Sequence, residues 1–326
     1  MSVKSYGFAI GNLRARENSL LKRNDLLQLI SSEDTAELFS MLKDKGIGYS
    51  VGGNSCLEAI KSHTSELWKY LADIAPDMSA FEPFIYENDF HNLKAVLKSV
   101  LKNTDFTKLL IIPASIDISL IERAIKEKRF DLLPEFMAGT AKEAYEILTQ
   151  TGDAQLADSI LDAACMKAQL KRAYECKVGI VADVIKTTVF YNNIKAALRA
   201  AKASKSSDFI DSALTDTDVI PKKELKAAAL AGEEKVLELL SRITELKGET
   251  AAECYREAAW KFEKFIDDLI MKKVSRCKSV TMGIEPLLGY MVARKTEIKN
   301  LSIIYSGVKT GQPREITEER LREVYG

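Results

Sequence analysis

Histidine, proline, tryptophan and paired cysteine are all scarce in this 326-residue chain, and each scarcity removes a class of function. Only two histidines occur, His63 and His91. Neither belongs to an H-E-x-x-H or similar ligand pair, so a structural or catalytic metal centre has little to stand on. The five cysteines, Cys56, Cys165, Cys176, Cys254 and Cys277, are odd in number, widely spaced and free of any C-x-x-C pair. They read as small buried hydrophobes in a reducing compartment, not as a disulfide framework or zinc knuckle. An excess of either charge is also missing: Lys plus Arg and Asp plus Glu both count 47. With no net field to attract a polyanion, nucleic acid is not an expected partner.

Long apolar runs are absent as well. The longest uncharged stretch, Gly46 to Leu57, is about a dozen residues rich in Gly, Ser and Asn, whereas a spanning helix needs about 20 apolar residues. No transmembrane segment is expected. Met1 to Arg16 carries Lys4, Arg14 and Arg16 without the apolar core of a signal peptide, so the chain is expected to stay in the cytoplasm. Gly46-x-Gly48 with Gly52-Gly53 fails as a phosphate loop because Asn54 and Ser55 follow where a Walker loop needs Lys and Ser/Thr, so a flexible turn is expected. Asp267-Asp268 fails as a magnesium D-D-x-x-D motif because Met271 holds the third position. No G-x-S-x-G elbow occurs, and no cofactor is implied.

What is present is helix. Only seven prolines interrupt a chain that is 46% hydrophobic and 29% charged. The residues between them, rich in Ala, Leu, Lys and Glu, lose little entropy in a helical turn. The spacing predicts an amphipathic helix on Leu57, Ile60, Thr64, Leu67, Trp68 and Leu71, and another on Tyr255, Ala258, Phe262, Ile266 and Leu269. Ser55 with Glu58 and Thr250 with Glu253 have capping-box spacing, and Asp153 is a third N-cap candidate.

These three starts fall about 97 residues apart, and other markers share the period. Asn92-Leu-Lys-Ala-Val-Leu-Lys98 resembles Asn193-Ile-Lys-Ala-Ala-Leu-Arg199, each with an aromatic two residues upstream, Phe90 or Tyr191. Asn300-Leu-Ser-Ile-Ile-Tyr305 is a weaker third copy. Short apolar helices are expected at Leu21 to Ile30, Ile116 to Ile125 and Ile220 to Ala229, each ahead of a second helical stripe. The chain is therefore expected to be all-α, in three related units of about 100 residues: 1–104, 105–205 and 206–326. Asn92, Lys94, Asn193, Lys195 and Asn300 carry the repeat. Because Asn is a mediocre helix former, its place inside strongly helical repeats implies a buried residue bonding a neighbouring helix's carbonyl. The basic cluster Lys272, Lys273, Arg276 and Lys278 is a candidate interface, with complementation of a helix C-terminus as the plainer reading.

The pattern as a whole resembles the C-subunit family of A/V-type rotary ATPases, whose eukaryotic vacuolar members are called the d subunit. The resemblance rests on Asn12-Leu-Arg-Ala-Arg16 with Ser19-Leu-Leu21, on Tyr86-Glu-Asn-Asp-Phe-His-Asn-Leu-Lys94, and on Phe190-Tyr-Asn-Asn-Ile-Lys195. Near the end it rests on Gly283-Ile-Glu-Pro-Leu-Leu288, Glu297-Ile-Lys-Asn-Leu301, Gly311-Gln-Pro313 and Ile316 to Leu321. It implies a funnel of three helical domains around a pseudo-threefold axis. It also implies a non-catalytic rotor adaptor, one copy per complex, joining the central stalk subunits to the membrane proteolipid rotor ring during proton or sodium transport. The chain would then be held at the membrane peripherally, through the complex. The alternative is a helical scaffold that binds partner helices or peptides, for which the period of about 100 residues is too long.

Overall fold

The computed structural model describes residues 5–49 and 55–325. Gly52, Gly53 and Asn54 of the glycine-rich stretch lie outside the described residues. Among the described residues there are sixteen α-helices joined by turns and short 3₁₀ segments, and no strand. The chain divides into two compact units, one built from both chain ends, up to Met78 and from Glu253 onward, the other from Ser79–Ala252.

The unit built from the ends contains α1 (Tyr6–Glu17), α2 (Arg23–Ile30), α3 (Thr35–Asp44) and α4 (Cys56–Ile74). The central unit contains α5 (Glu82–Lys102), α6 (Ile118–Lys126), α7 (Glu135–Gln150), α8 (Ala154–Glu175), α9 (Gly179–Lys202), α10 (Ser207–Ala213), α11 (Lys222–Ala231) and α12 (Glu233–Ser241). Helix α13 (Gly248–Glu257) runs across the boundary, and α14 (Ala259–Val274), α15 (Glu285–Thr310) and α16 (Arg314–Arg320) return to the first unit.

Local chemistry sets the ends of these helices. The Ser55 hydroxyl accepts from Glu58 N–H at the start of α4, and the Asp153 carboxylate accepts from Leu156 N–H at the start of α8. The three short helices expected from the repeat are α2, α6 and α11, each opening two residues after Leu21, Ile116 and Ile220. Each of the long helices α5, α9 and α15 is followed by a left-handed residue: Asn103 at φ 51°, Ser204 at φ 48° and Gly311 at φ 63°.

Three details depart from the sequence reading. Thr250 is not a cap, because α13 already starts at Gly248, where a Cβ would lie 1.8 Å from Leu240 O. The chain enters that helix through the left-handed Lys247 and a residue without a side chain. The Tyr255–Leu269 stripe is broken at Ala258, whose extended backbone separates α13 from α14, while the Tyr255 and Phe262 rings pack edge to face at 5.4 Å across the break. In α4 the buried face is set by Cys56, Ala59, Ile60 and His63, which leaves Leu57 45% exposed. The small Ala59 is the residue that meets Gly48, held at φ 85° where a Cβ would sit 2.6 Å from that of Ala59.

Two antiparallel helix pairs organise the cores. In the central unit α5 lies on α8, with Glu82 to Arg172 at 2.6 Å, Lys94 to Asp162 at 2.5 Å and Lys98 to Asp158 at 2.6 Å marking the register. Phe90, Leu93, Ile121, Met137, Ala141 and Leu161 fill the space among α5 to α8. In the other unit α15 lies on α4, where His63 meets Glu297 and the Tyr70 and Tyr290 rings pack edge to face at 5.7 Å. Leu26, Leu29, Leu38, Phe39, Leu42, Leu301 and Ile304 form its core.

Candidate functional site

The three asparagines singled out by the repeat are buried: Asn92 and Asn300 are 0% exposed and Asn193 2%. Each sits on a long helix, α5, α9 or α15, and each grips one residue of the irregular chain that follows. Asn92 Nδ2 donates to Ile111 O at 2.9 Å while its Oδ1 accepts from Ile111 N–H at 2.8 Å. Asn193 does the same with Thr215, at 2.5 and 3.0 Å. Asn300 does it with Arg322, at 3.2 and 2.8 Å.

The bonds therefore run to a non-helical segment downstream, not to the carbonyl of a neighbouring helix. The reason is geometric, since a carboxamide presents an N–H donor and a C=O acceptor side by side, the complement of one residue's backbone C=O and N–H. A chain crossing a core outside helix or sheet leaves those groups orphaned, and the asparagine satisfies both. Around the first clamp the sequence Tyr86 to Lys94 extends the grip. Asn88 Nδ2 donates to Pro113 O at 2.8 Å, His91 Nε2 lies 2.9 Å from Leu109 O, and the buried Asp89 accepts from Ser115 N–H at 2.8 Å and Ile116 N–H at 3.2 Å. Burial pushes the Asp89 carboxyl above the ordinary Asp value, against the pull of those donors. Lys94 and Lys195 are half-buried beside their asparagines, and Ser302, which bonds Ile298 O, occupies the lysine's position in the third copy.

The third clamp is reinforced by the acidic pair on α14. Asp267 accepts from Arg322 Nε at 2.8 Å and from Lys299 at 2.7 Å, and Asp268 accepts from Glu323 N–H at 2.7 Å. These carboxylates are engaged in holding the C-terminal segment.

A second buried cluster was not apparent from the sequence. Arg294, Glu297 and His63 are 4%, 5% and 6% exposed. Glu297 Oε1 receives Arg294 Nη1 and lies 2.9 Å from His63 Nε2, while Oε2 accepts from Leu21 N–H at 2.7 Å. Arg294 Nη2 also donates to Ser19 Oγ and Tyr290 Oη, both at 2.9 Å. Burial would raise the Glu297 carboxyl, but the His63 hydrogen bond, the Arg294 charge and the Leu21 N–H outweigh it and hold it below the ordinary Glu value. The cluster ties α15 to α4 and to the turn between α1 and α2. The available signal was the run Leu287, Leu288, Tyr290, Met291, Val292 and Ala293, apolar on every side of α15, which leads straight into the buried Arg294 and Glu297.

The structure does not bring the candidate basic residues to either cluster. Lys272 and Lys273 occupy the last turn of α14, where cations complement the helix dipole, with Lys272 exposed. Arg276 and Lys278 follow in the 3₁₀ turn Ser275–Ser279, and Lys278 Nζ lies 4.6 Å from the centroid of the Tyr325 ring. Among the described residues no group of three His, Cys, Asp or Glu side chains could hold a metal ion, and no helix is long and apolar enough to cross a membrane.

Asparagine clamps on the chain's own backbone, a buried ion cluster joining distant segments and paired long helices together define an all-α protein braced by internal polar contacts. More particularly, the chain belongs to the ATP synthase (C/AC39) subunit family, whose model matches residues 9–320. It is similar along its length to the C subunit of the V-type sodium ATPase of Enterococcus hirae, with 22% identity covering 96% of this chain and 97% of that protein. It is also similar to the C subunits of two A-type ATP synthases. The Methanocaldococcus jannaschii protein is 23% identical, covering 97% of this chain and 86% of the relative, and the Methanobrevibacter smithii protein is 26% identical, covering 93% and 84%.

Proposed function

We propose that this chain is the non-catalytic central-rotor adaptor of a V/A-type ATPase, linking the central stalk to the membrane rotor ring and passing torque between them as protons or sodium ions are moved. ATP turnover and ion passage then belong to other subunits. The observation that carries the reading is the family match across residues 9–320, joined to what the polar residues do. The asparagines and the Arg294–Glu297–His63 cluster stiffen the fold from inside, and a part that transmits torque must be stiff before it is anything else.

The same proposal includes three related helical units around a pseudo-threefold axis, in the order 1–104, 105–205 and 206–326. Support comes from the repetition of one device, an Asn on a long helix bonded to both backbone groups of a residue 19 to 22 positions later. The chain would be present in one copy, on the cytoplasmic side, attached to the membrane through the ring. The exposed end of α14 with Lys272, Lys273, Arg276 and Lys278 is a candidate contact with the ring, so Lys272→Glu with Lys273→Glu is expected to weaken docking. Unchanged docking would leave these residues as complements to the helix terminus.

Native mass spectrometry of the tagged chain from gently solubilised source membranes tests the function directly. One copy per particle beside a proteolipid ring and small stalk subunits is the expected result. Emergence of the chain alone, from membranes whose ATPase is isolated intact without it, overturns the reading.

A further inference from the structure

The three asparagine clamps share what lies beyond them. Five residues after Ile111 and Thr215 come the buried Ile116 and Ile220, which lead into the short helices α6 and α11. These pack on α5 and α9, the same long helices that carry Asn92 and Asn193. At the third clamp Arg322 leads to Tyr325, and the short helix packed on α15 is α2, which comes from the opposite end of the sequence and is entered through the buried Leu21. Leu21, Val324 and Tyr325 line one cavity of about 590 Å³, so the segment after Arg322 and the entry to α2 border the same space.

The entry residues are held from one helix position. Three residues before the clamp asparagines stand Asp89 on α5, Phe190 on α9 and Glu297 on α15. Asp89 accepts from Ile116 N–H at 3.2 Å, and Glu297 Oε2 accepts from Leu21 N–H at 2.7 Å, so an acid at the same place bonds the same entry residue in both copies. On α9 that place is taken by Phe190, and Ile220 N–H donates instead to Thr217 Oγ1 at 3.3 Å, within its own connection. A continuous connection therefore keeps its short helix seated without a carboxylate. Leu21 is reached from Ser19 and Leu20, not from the segment that Asn300 grips.

We infer that Arg322–Tyr325 and Leu21–Arg23 are two halves of one connection, equivalent to the continuous Ile111–Ile118 and Thr215–Lys222, and that the Glu297 carboxylate stands in for the peptide link by stapling α2 to α15. Arg294 supports the staple, since it bonds Glu297 and through Nη2 donates to Ser19 Oγ at 2.9 Å, two residues ahead of Leu21. Helix α1 then lies outside the repeat as a strap beside the break. Its Arg14 Nη2 donates to Lys278 O and Val280 O, both at 2.8 Å, in the turn that precedes α15. The joint is conditional where its counterparts are not. Losing Glu297 releases α2 from α15, whereas losing Asp89 leaves α6 tethered to the Asn92 clamp through Ile111–Ile118.

Cutting the first connection turns it into a copy of the third. A protease recognition site is inserted between Pro113 and Ala114 of the full chain and cleaved after folding, and amide hydrogen exchange is read at Ala124 and Ile125 of α6. Cleavage alone, or Asp89→Ala alone in the uncleaved chain, is expected to change exchange by no more than about twofold, while cleavage of the Asp89→Ala chain accelerates it about tenfold or more. At the native break, Arg294→Met with Glu297→Leu, which removes both charges together, is expected to accelerate exchange at Leu29 and Ile30 of α2 about tenfold or more. Additive effects at α6, release of α6 by cleavage alone, or unchanged exchange in α2 overturns the inference. The two arms use separate chains, so failure of the second to fold leaves the first decisive, and neither outcome bears on the adaptor role.

Discussion

Replacing each clamp asparagine by leucine, one at a time, yields effects that are ordered by the surroundings of the residue it grips. Asn193→Leu keeps the number and branching of the side-chain heavy atoms and strips Thr215 of both backbone partners in a buried setting, as Asn300→Leu does for Arg322. An orphaned buried donor or acceptor costs about 1–3 kcal/mol, so the pair costs about 2–6 kcal/mol. At Ile111, 38% exposed, water reaches the two released groups, and Asn92→Leu costs only about 1–3 kcal/mol, the net worth of two ordinary hydrogen bonds. Because the chain forms two compact units, a single global unfolding energy is a poor gauge, and amide hydrogen exchange read at Ile111, Thr215 and Arg322 is the appropriate assay. Exchange at Thr215 and Arg322 is expected to accelerate by about thirtyfold or more in their own variants, from about 2 kcal/mol at tenfold per 1.4 kcal/mol. Equal acceleration at all three sites, or the largest at Ile111, would refute the argument that burial of the gripped peptide sets the cost.

Removing one member of the buried cluster, by Glu297→Ala or Arg294→Ala, is expected to destabilise the unit built from the chain ends by about 3–5 kcal/mol, because the remaining charge is left buried and uncompensated. The double change Arg294→Met with Glu297→Leu should cost less than either, as chemical denaturation followed by circular dichroism will show. The lowered Glu297 carboxyl stabilises the fold above the ordinary Glu range, and this contribution is lost as pH falls through its folded value. Melting temperature between pH 7 and pH 3 should therefore fall less in Glu297→Gln than in the unsubstituted protein. Asp89, raised by burial, has the opposite sign, favouring the fold at low pH and losing that contribution as pH rises through its folded value, so Asp89→Asn should flatten the neutral side of the same profile. Gly289→Ala places a Cβ 2.5 Å from Tyr325 Oη and 2.8 Å from Cys277 Cβ and should cost about 1–3 kcal/mol. Gly7→Ala, with nothing within 4 Å on an exposed turn of α1, should instead stabilise by about 0.5–1 kcal/mol in the same thermal melt.

The clamps were legible in sequence because asparagine inside an apolar helical stripe conflicts with its local propensity, and only burial with full hydrogen bonding resolves that conflict. What the sequence could not specify was the partner, since Ile111, Thr215 and Arg322 have unrelated side chains and are recognised only through their backbone. Arg294 and Glu297 escaped notice for a related reason. An Arg and a Glu three residues apart on a helix read as a solvated ion pair, and their other partners, His63 and Ser19, lie more than two hundred residues away in the chain. Ser55 and Asp153 were readable as caps because the hydroxyl or carboxylate acts on its own next turn, whereas the start of α13 is decided by the approach of Leu240 O to Gly248, which no local pattern encodes.

The pairing of α4 with α15 sets an order of events during synthesis. Residues Ser79–Ala252 can pack as soon as they leave the ribosome, since α5 to α12 lie wholly within that span and only α13 runs past its end. The earlier helices α1 to α4 must wait, with Leu21 N–H, Ser19 and His63 unmatched, until Arg294 and Glu297 have been translated. A nascent chain halted before α15 therefore displays the apolar faces of α2, α3 and α4, whose core partners Leu301, Ile304 and Leu321 have not yet been made.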